Sequence, residues 1–146
     1  MAHEVADLLF TANESAAAID GDDAFKMTTK SSRALKRLGG ACETQERFGE
    51  LVDDLYFLVY EGSGSCKRLP SPPPEFAMDV KFLRTHIRHD LDHGDPKDAA
   101  GKRVRGASIL KKYLGVQVLE MASPGQFRAA HLRLLERLRE MLKALS

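Results

Sequence analysis

A chain of 146 residues, 43% hydrophobic and 29% charged, is long enough to bury a core and too apolar to be a disordered segment. Its 22 Lys and Arg against 21 Asp and Glu leave a net charge of +1, so the overall balance names no partner. Cys42 and Cys66 stand far apart with no CxxC pair, which argues against a disulfide framework or a zinc ribbon. No apolar run nears the roughly 18–20 residues of a membrane span, and the expectation is one domain over residues 1–146, cytoplasmic and without membrane contact.

The elements read almost entirely at helical spacing. Val5, Leu8, Leu9, Ala12, Ala16 and Ile19 recur every three or four residues and predict a first amphipathic helix that stops at Asp20-Gly21. Asp23 to Leu38 is a weaker helix with Phe25, Leu35 and Leu38 on one face, ended by Gly39-Gly40. Phe48, Leu51, Val52, Leu55, Leu58 and Val59 mark a third, strongly apolar one. From Glu61 to Pro74 the chain is rich in turn residues, and a segment this long either packs on the surface or moves freely.

Phe76, Val80, Leu83, Ile87 and Leu91 set the buried stripe of a fourth helix that runs to about His93, with Gly94 as its stop. Asp95 is then a natural cap and Pro96 a natural first residue for a fifth helix, whose inner face is Ala100, Val104, Ala107, Leu110 or Lys111, and Leu114. Val116 to Leu119 suits at most a short extended piece. Ser123-Pro124-Gly125-Gln126 has capping-box spacing and opens a last helix through Leu134, Leu135, Leu138, Met141, Leu142 and Leu145. Five or six helices with short connections predict an all-α antiparallel bundle.

Charge is unevenly distributed along this frame. Met1 to Phe25 carries six acids and no Lys or Arg, whereas Lys97 to Lys112 carries six bases against Asp98 alone. A local basic segment can hold a phosphate backbone even in a chain of near-neutral charge, although a solvated helix face explains it equally well.

The densest chemistry lies from Arg84 to Asp95. Arg84-Thr85-His86-Ile87-Arg88-His89-Asp90-Leu91-Asp92-His93-Gly94-Asp95 holds three of the five histidines of the chain, and an apolar stripe explains only Ile87 and Leu91. Arg88-x4-His93, with polar His89 after the arginine and Gly94 after the histidine, resembles the R-x4-6-H motif of HEPN domains. The resemblance spans roughly Phe76 to Leu114 and includes the apolar stripe, the helix stop and the basic helix that follows.

Such a resemblance implies an all-α domain, a homodimer with a composite site, and metal-independent cleavage of RNA. It also implies work in phage defence or toxin–antitoxin control, with an antitoxin or defence-complex partner. His93 suits proton transfer because imidazole titrates near neutral pH, and a helix C-terminus favours its charged form. Arg88 suits the developing phosphorane charge, since a guanidinium stays charged and grips two oxygens at once. His89, Arg84 and Asp92 are supporting candidates, and Lys97, Lys102, Arg103 and Arg105 are candidates for RNA-backbone contacts. No cofactor or metal is expected.

Geometry and local spacing leave alternatives open. Five residues turn an ideal helix by about 140°, so Arg88 and His93 meet only through a distorted last turn or across a two-fold dimer. Arg84-x4-His89 has the same spacing but is followed by no helix stop. Arg88 is equally placed to pair with Asp92 as a plain surface arginine, and His93 to serve the helix dipole. His86, His89 and His93 fall within about 60° on a helix, which suits a divalent metal if further ligands arrive from elsewhere. His89-Asp90-Leu91-Asp92-His93 resembles part of the signature of HD-type phosphodiesterases, but no histidine lies between His3 and His86 to supply the upstream ligand. A HEPN module that binds nucleotide, nucleic acid or protein without catalysis uses the same residues. One toxin subtype of the family carries a tyrosine where this chain has Asp95. His131 reads as structural or solvent-facing, Phe57 and Tyr60 as cover for the core or a dimer seam, and Met78 and Met121 as gap fillers.

Overall fold

The computed structural model describes residues 2–88 and 96–146. The expectations for His89, Asp90, Leu91, Asp92, His93, Gly94 and Asp95, and for the side chain of Lys97, lie outside the described residues. The described chain is an all-α bundle of six helices with no strand: α1 (Ala2–Asp20), α2 (Thr29–Arg37), α3 (Gln45–Leu55), α4 (Glu75–Arg88), α5 (Pro96–Leu114) and α6 (Pro124–Leu145). No described helix is long and apolar enough to cross a membrane.

Local chemistry accounts for most of the boundaries. Thr44 caps α3 by accepting from the Arg47 N–H, and Ser123 caps α6 in a reciprocal box with Gln126, as its spacing predicts. The second helix starts later than its pattern suggests. Thr28 and Ser31 form the capping box there, so residues 21–28 enter as irregular chain. Phe25 is buried all the same, because Asn13 takes over its backbone bonding: Asn13 Nδ2 donates to Phe25 O at 2.9 Å, and Phe25 N donates to Asn13 Oδ1 at 2.8 Å. A backbone satisfied by a side chain needs no helix.

α3 runs without a break into a π-helical turn, Tyr56–Glu61, in which Gly62 N reaches back to Phe57 O at 2.8 Å. The turn-rich segment that follows packs down instead of moving freely. Ser63 Oγ donates to Val59 O and accepts from Cys66 N, Lys26 N donates to Gly62 O, and Cys66 and Leu69 are buried.

The core collects Phe48, Leu51 and Leu55 of α3, Phe76, Val80 and Leu83 of α4, Leu110 and Leu114 of α5, and Leu134 and Leu138 of α6. α4 is central, packed against α3 and the π turn on one side and α5 on the other. Asp79 ties α5 to it by accepting from Tyr113 Oη at 2.6 Å and Lys112 Nζ at 2.7 Å. Burial holds the Tyr113 phenol far above its usual pKa, so it remains a donor.

Four apolar expectations fail. Ile19 at 83%, Val104 at 73% and Met121 at 73% exposure face outward, and Ala100 is exposed as well. α5 turns Tyr113 inward where Val104 was expected to continue the stripe, because the Asp79 bond fixes its rotation. Val118 is extended, as the Val116–Leu119 reading allows, and a 3-10 turn follows at Leu119–Met121. His131 is structural: its ring Nε2 lies 2.6 Å from Leu38 O, and since a carbonyl only accepts, the ring carries its proton there.

Candidate functional site

The apolar stripe of α4 buries Phe76, Ala77, Val80 and Leu83, which leaves polar side chains on two flanks of the helix. Arg84 and Arg88, one turn apart, share the flank facing α3 and converge on one carboxylate, Asp53. Arg88 Nη2 lies 3.0 Å from Asp53 Oδ2, and Arg88 Nε lies 3.1 Å from the same oxygen and 3.3 Å from Oδ1. Arg84 Nε stands 3.7 Å from Asp53 Oδ1, with its guanidinium carbon 4.6 Å from the centroid of the Tyr56 ring.

The Arg88 side chain is 41% exposed and that of Asp53 42%, so solvent screens the pair. A pair of this kind contributes on the order of 1 kcal/mol or less to stability; its consequence is orientation. Gly49 completes the seat. A Cβ at that position would lie 2.6 Å from Arg88 Nη2, so any larger residue would displace the guanidinium from this seat on α3. Glycine inside a helix costs roughly 1 kcal/mol against alanine, and close approach of the arginine is the physical reason for it here.

Beside this seat opens a cleft of about 530 Å³ between α2, α3 and the π turn. Several of its charges have fixed partners. Arg37 makes a two-pronged bond to Asp54, Nε to Oδ2 at 3.0 Å and Nη2 to Oδ1 at 2.6 Å, and that bond holds the Arg37 pKa above its ordinary value. Lys30 Nζ sits 4.2 Å from the centroid of Phe57. Phe57 and Tyr56 thus face the cleft and its cations, while Tyr60 packs against the core and stacks on Tyr56.

The other flank of α4 faces α5. Lys81, Phe82, Thr85 and His86 of α4 and Lys102 and Arg105 of α5 line a smaller cavity of about 220 Å³. His86 is wedged against α5 at Gly106, where a Cβ would lie 2.4 Å from the ring Nδ1 and 2.7 Å from the His86 Cβ. Burial depresses the His86 pKa, with Glu120 pulling weakly the other way, and its buried Nδ1 has no hydrogen-bond partner among the described residues. A neutral, packed imidazole is a spacer between helices. Among the described residues, no group of three His, Cys, Asp or Glu could hold a metal ion.

The structure therefore brings Arg84 and Arg88 of α4 together and places Lys102 and Arg105 on α5, against the other flank of α4. Arg103 is exposed on α5 and lines neither cavity. Among the described residues Arg88 pairs with Asp53, while the alternative partner Asp92 lies outside them. Sequence reasoning missed Gly49, Asp53, Tyr56, Lys81 and Phe82. The one available signal was Asp53-Asp54, two acids interrupting the apolar stripe of α3. Comparison of the chain with family models, with curated proteins and with solved structures finds no match.

Proposed function

We propose that the protein is a metal-independent endoribonuclease of HEPN type, working as a homodimer with Arg88 and His93 as its reactive pair. The reading is carried by Arg88. It stands at the last described turn of α4, partly exposed, with Asp53 on its Nε–Nη2 edge and Gly49 beneath it, and its Nη1 bonds to no described residue. A guanidinium fixed before substrate arrives needs no reorganisation when charge develops on a phosphate.

In this mechanism the RNA 2′-OH attacks the adjacent phosphorus as His93 removes its proton. Negative charge on the phosphorane is met by Arg88, the bond to the 5′-oxygen breaks, and that oxygen takes up the proton held by the His93 imidazolium. The products are a 2′,3′-cyclic phosphate and a 5′-hydroxyl. Arg84, His89 and Asp92 support the pair, while Lys97, Lys102, Arg103 and Arg105 contact the RNA backbone. The single domain acts in the cytoplasm, in phage defence or toxin–antitoxin control, beside an antitoxin or defence-complex partner.

A second reading, a HEPN module that binds nucleic acid or protein without cleaving, is favoured by one observation: both motif arginines already hold Asp53. Incubation of the pure protein with single-stranded RNA in EDTA separates the two. Cleavage that falls at least about 100-fold in Arg88→Ala and in His93→Ala, with DNA untouched, fits the nuclease. Tight RNA binding with no cleavage fits the module, and cleavage abolished by EDTA overturns the metal-independent mechanism.

A further inference from the structure

The cavity between α4 and α5 is lined largely by cationic side chains. Lys81, Lys102 and Arg105 line it, and among the described residues no acidic one does. None of the three makes an ion pair with a described residue. Instead aromatic rings flank two of them: the Phe82 centroid lies 4.6 Å from Arg105 Cζ and 5.6 Å from Lys81 Nζ, and the Tyr60 centroid lies 5.3 Å from Lys81 Nζ. An aromatic face attracts cations through its quadrupole but carries no net charge. It therefore positions the cations without cancelling their field, as a carboxylate would.

The two helices that frame the cavity are held close together. Gly106 lets α5 close onto His86, and Lys102 and Arg105 sit one turn and one residue before that contact. Asp79 clamps the far end of the same helix pair through Lys112 and Tyr113. With about 220 Å³ of space, it is smaller than the ~300–1,000 Å³ pockets of drug-sized ligands, and it suits a compact group at the end of a larger molecule.

We infer that this cavity binds a terminal phosphate monoester, gripped by Lys81, Lys102 and Arg105 over the ring of Phe82. A monoester carries up to two negative charges near neutral pH, and three cations match it better than the single charge of a backbone diester. The group arrives on a free mononucleotide or on the phosphorylated end of an RNA. The site stands apart from Arg88 and Asp53, so it holds whether or not the chain cleaves RNA.

The test uses the full chain and single-stranded 2′-O-methyl oligonucleotides, which lack the 2′-OH that cleavage requires, with either a 5′-phosphate or a 5′-hydroxyl. Anisotropy of a 3′-fluorophore should show about tenfold tighter binding of the phosphorylated form, a preference that shrinks as salt rises. Lys102→Gln and Arg105→Gln, both at exposed positions that spare the core, should each remove most of the preference, and Lys143→Gln on α6 should leave it intact. Competition by adenosine monophosphate with the same variant dependence assigns a free nucleotide as the source, and its failure to compete with the phosphorylated oligonucleotide assigns the RNA end. Equal affinity for the two oligonucleotides together with no binding of the mononucleotide overturns the site. So does a preference that survives both glutamine variants. Cleavage of ordinary RNA, measured in parallel, reports on Arg88 and His93 separately.

Discussion

The two flanks of α4 carry similar side chains and treat them in opposite ways. Toward α3, Arg84 and Arg88 meet Asp53, and in the cleft beside them Arg37 meets Asp54. Toward α5, Arg105 meets the ring of Phe82, Lys81 lies near the rings of Tyr60 and Phe82, and none of Lys81, Lys102 and Arg105 meets a described carboxylate. Carboxylate partners hold a guanidinium in one orientation and lower the local field; an aromatic partner holds it less firmly and leaves the field standing. The first arrangement suits a group whose direction matters, such as one aimed at a reacting phosphate. The second suits a group whose charge matters, such as one waiting for an anion.

Several substitutions separate these roles. Gly106→Ala should have the largest effect on the fold, because the added methyl meets the His86 ring and Cβ and must push α5 from α4. A loss of about 2 kcal/mol is expected from such overpacking, read by urea denaturation. Binding of phosphate-bearing oligonucleotides should weaken with it, while the Arg88–Asp53 flank stays assembled. Unchanged stability would mean that the two helices are not in contact at this point.

Asp53→Asn makes the first flank resemble the second. Removing the shared carboxylate raises the positive field but frees both guanidinium groups to move. RNA affinity should rise, with a steeper dependence on salt, while cleavage falls about tenfold as Arg88 loses its aim. A parallel rise in both would show that Asp53 only suppresses charge.

Gly49→Ala is a smaller and cleaner perturbation of the same arginine, since it changes no charge. The methyl occupies the seat of Arg88 Nη2, so cleavage should drop a few-fold, an effect below that of losing the guanidinium outright. Stability should change little, because helix propensity gains roughly 1 kcal/mol that offsets the displacement. Native-like unfolding with reduced cleavage marks Gly49 as a positioning residue, and unchanged cleavage removes it from that role.

The smallest effect is a pH dependence. His86 is held below its unfolded pKa of 6.5 by burial, so below that pH the unfolded chain binds more protons than the folded one. Stability should therefore fall as pH drops from about 6.5 toward the folded pKa, and His86→Gln should flatten that part of the profile. Denaturation midpoints across the acidic range check the sign; a wild-type profile that stays flat there would show His86 to be solvated.

What the sequence determined by itself is what a few neighbouring residues decide. The helical repeat of α3, α4 and α6 and the Ser123–Gln126 cap lie within three to five residues of chain, and each was legible as such. So was the cluster of arginines and histidines on one short segment. The later start of α2 was not, since Asn13 satisfies Phe25 from twelve residues away. Neither was the outward turn of Val104, which follows from a bond between Tyr113 and Asp79, nor the choice of Asp53 as partner for Arg88 across 35 positions. Periodicity states which face of a helix is apolar; only the packing of one helix on another decides which charges meet, because that distance is set by contacts the chain makes far from itself.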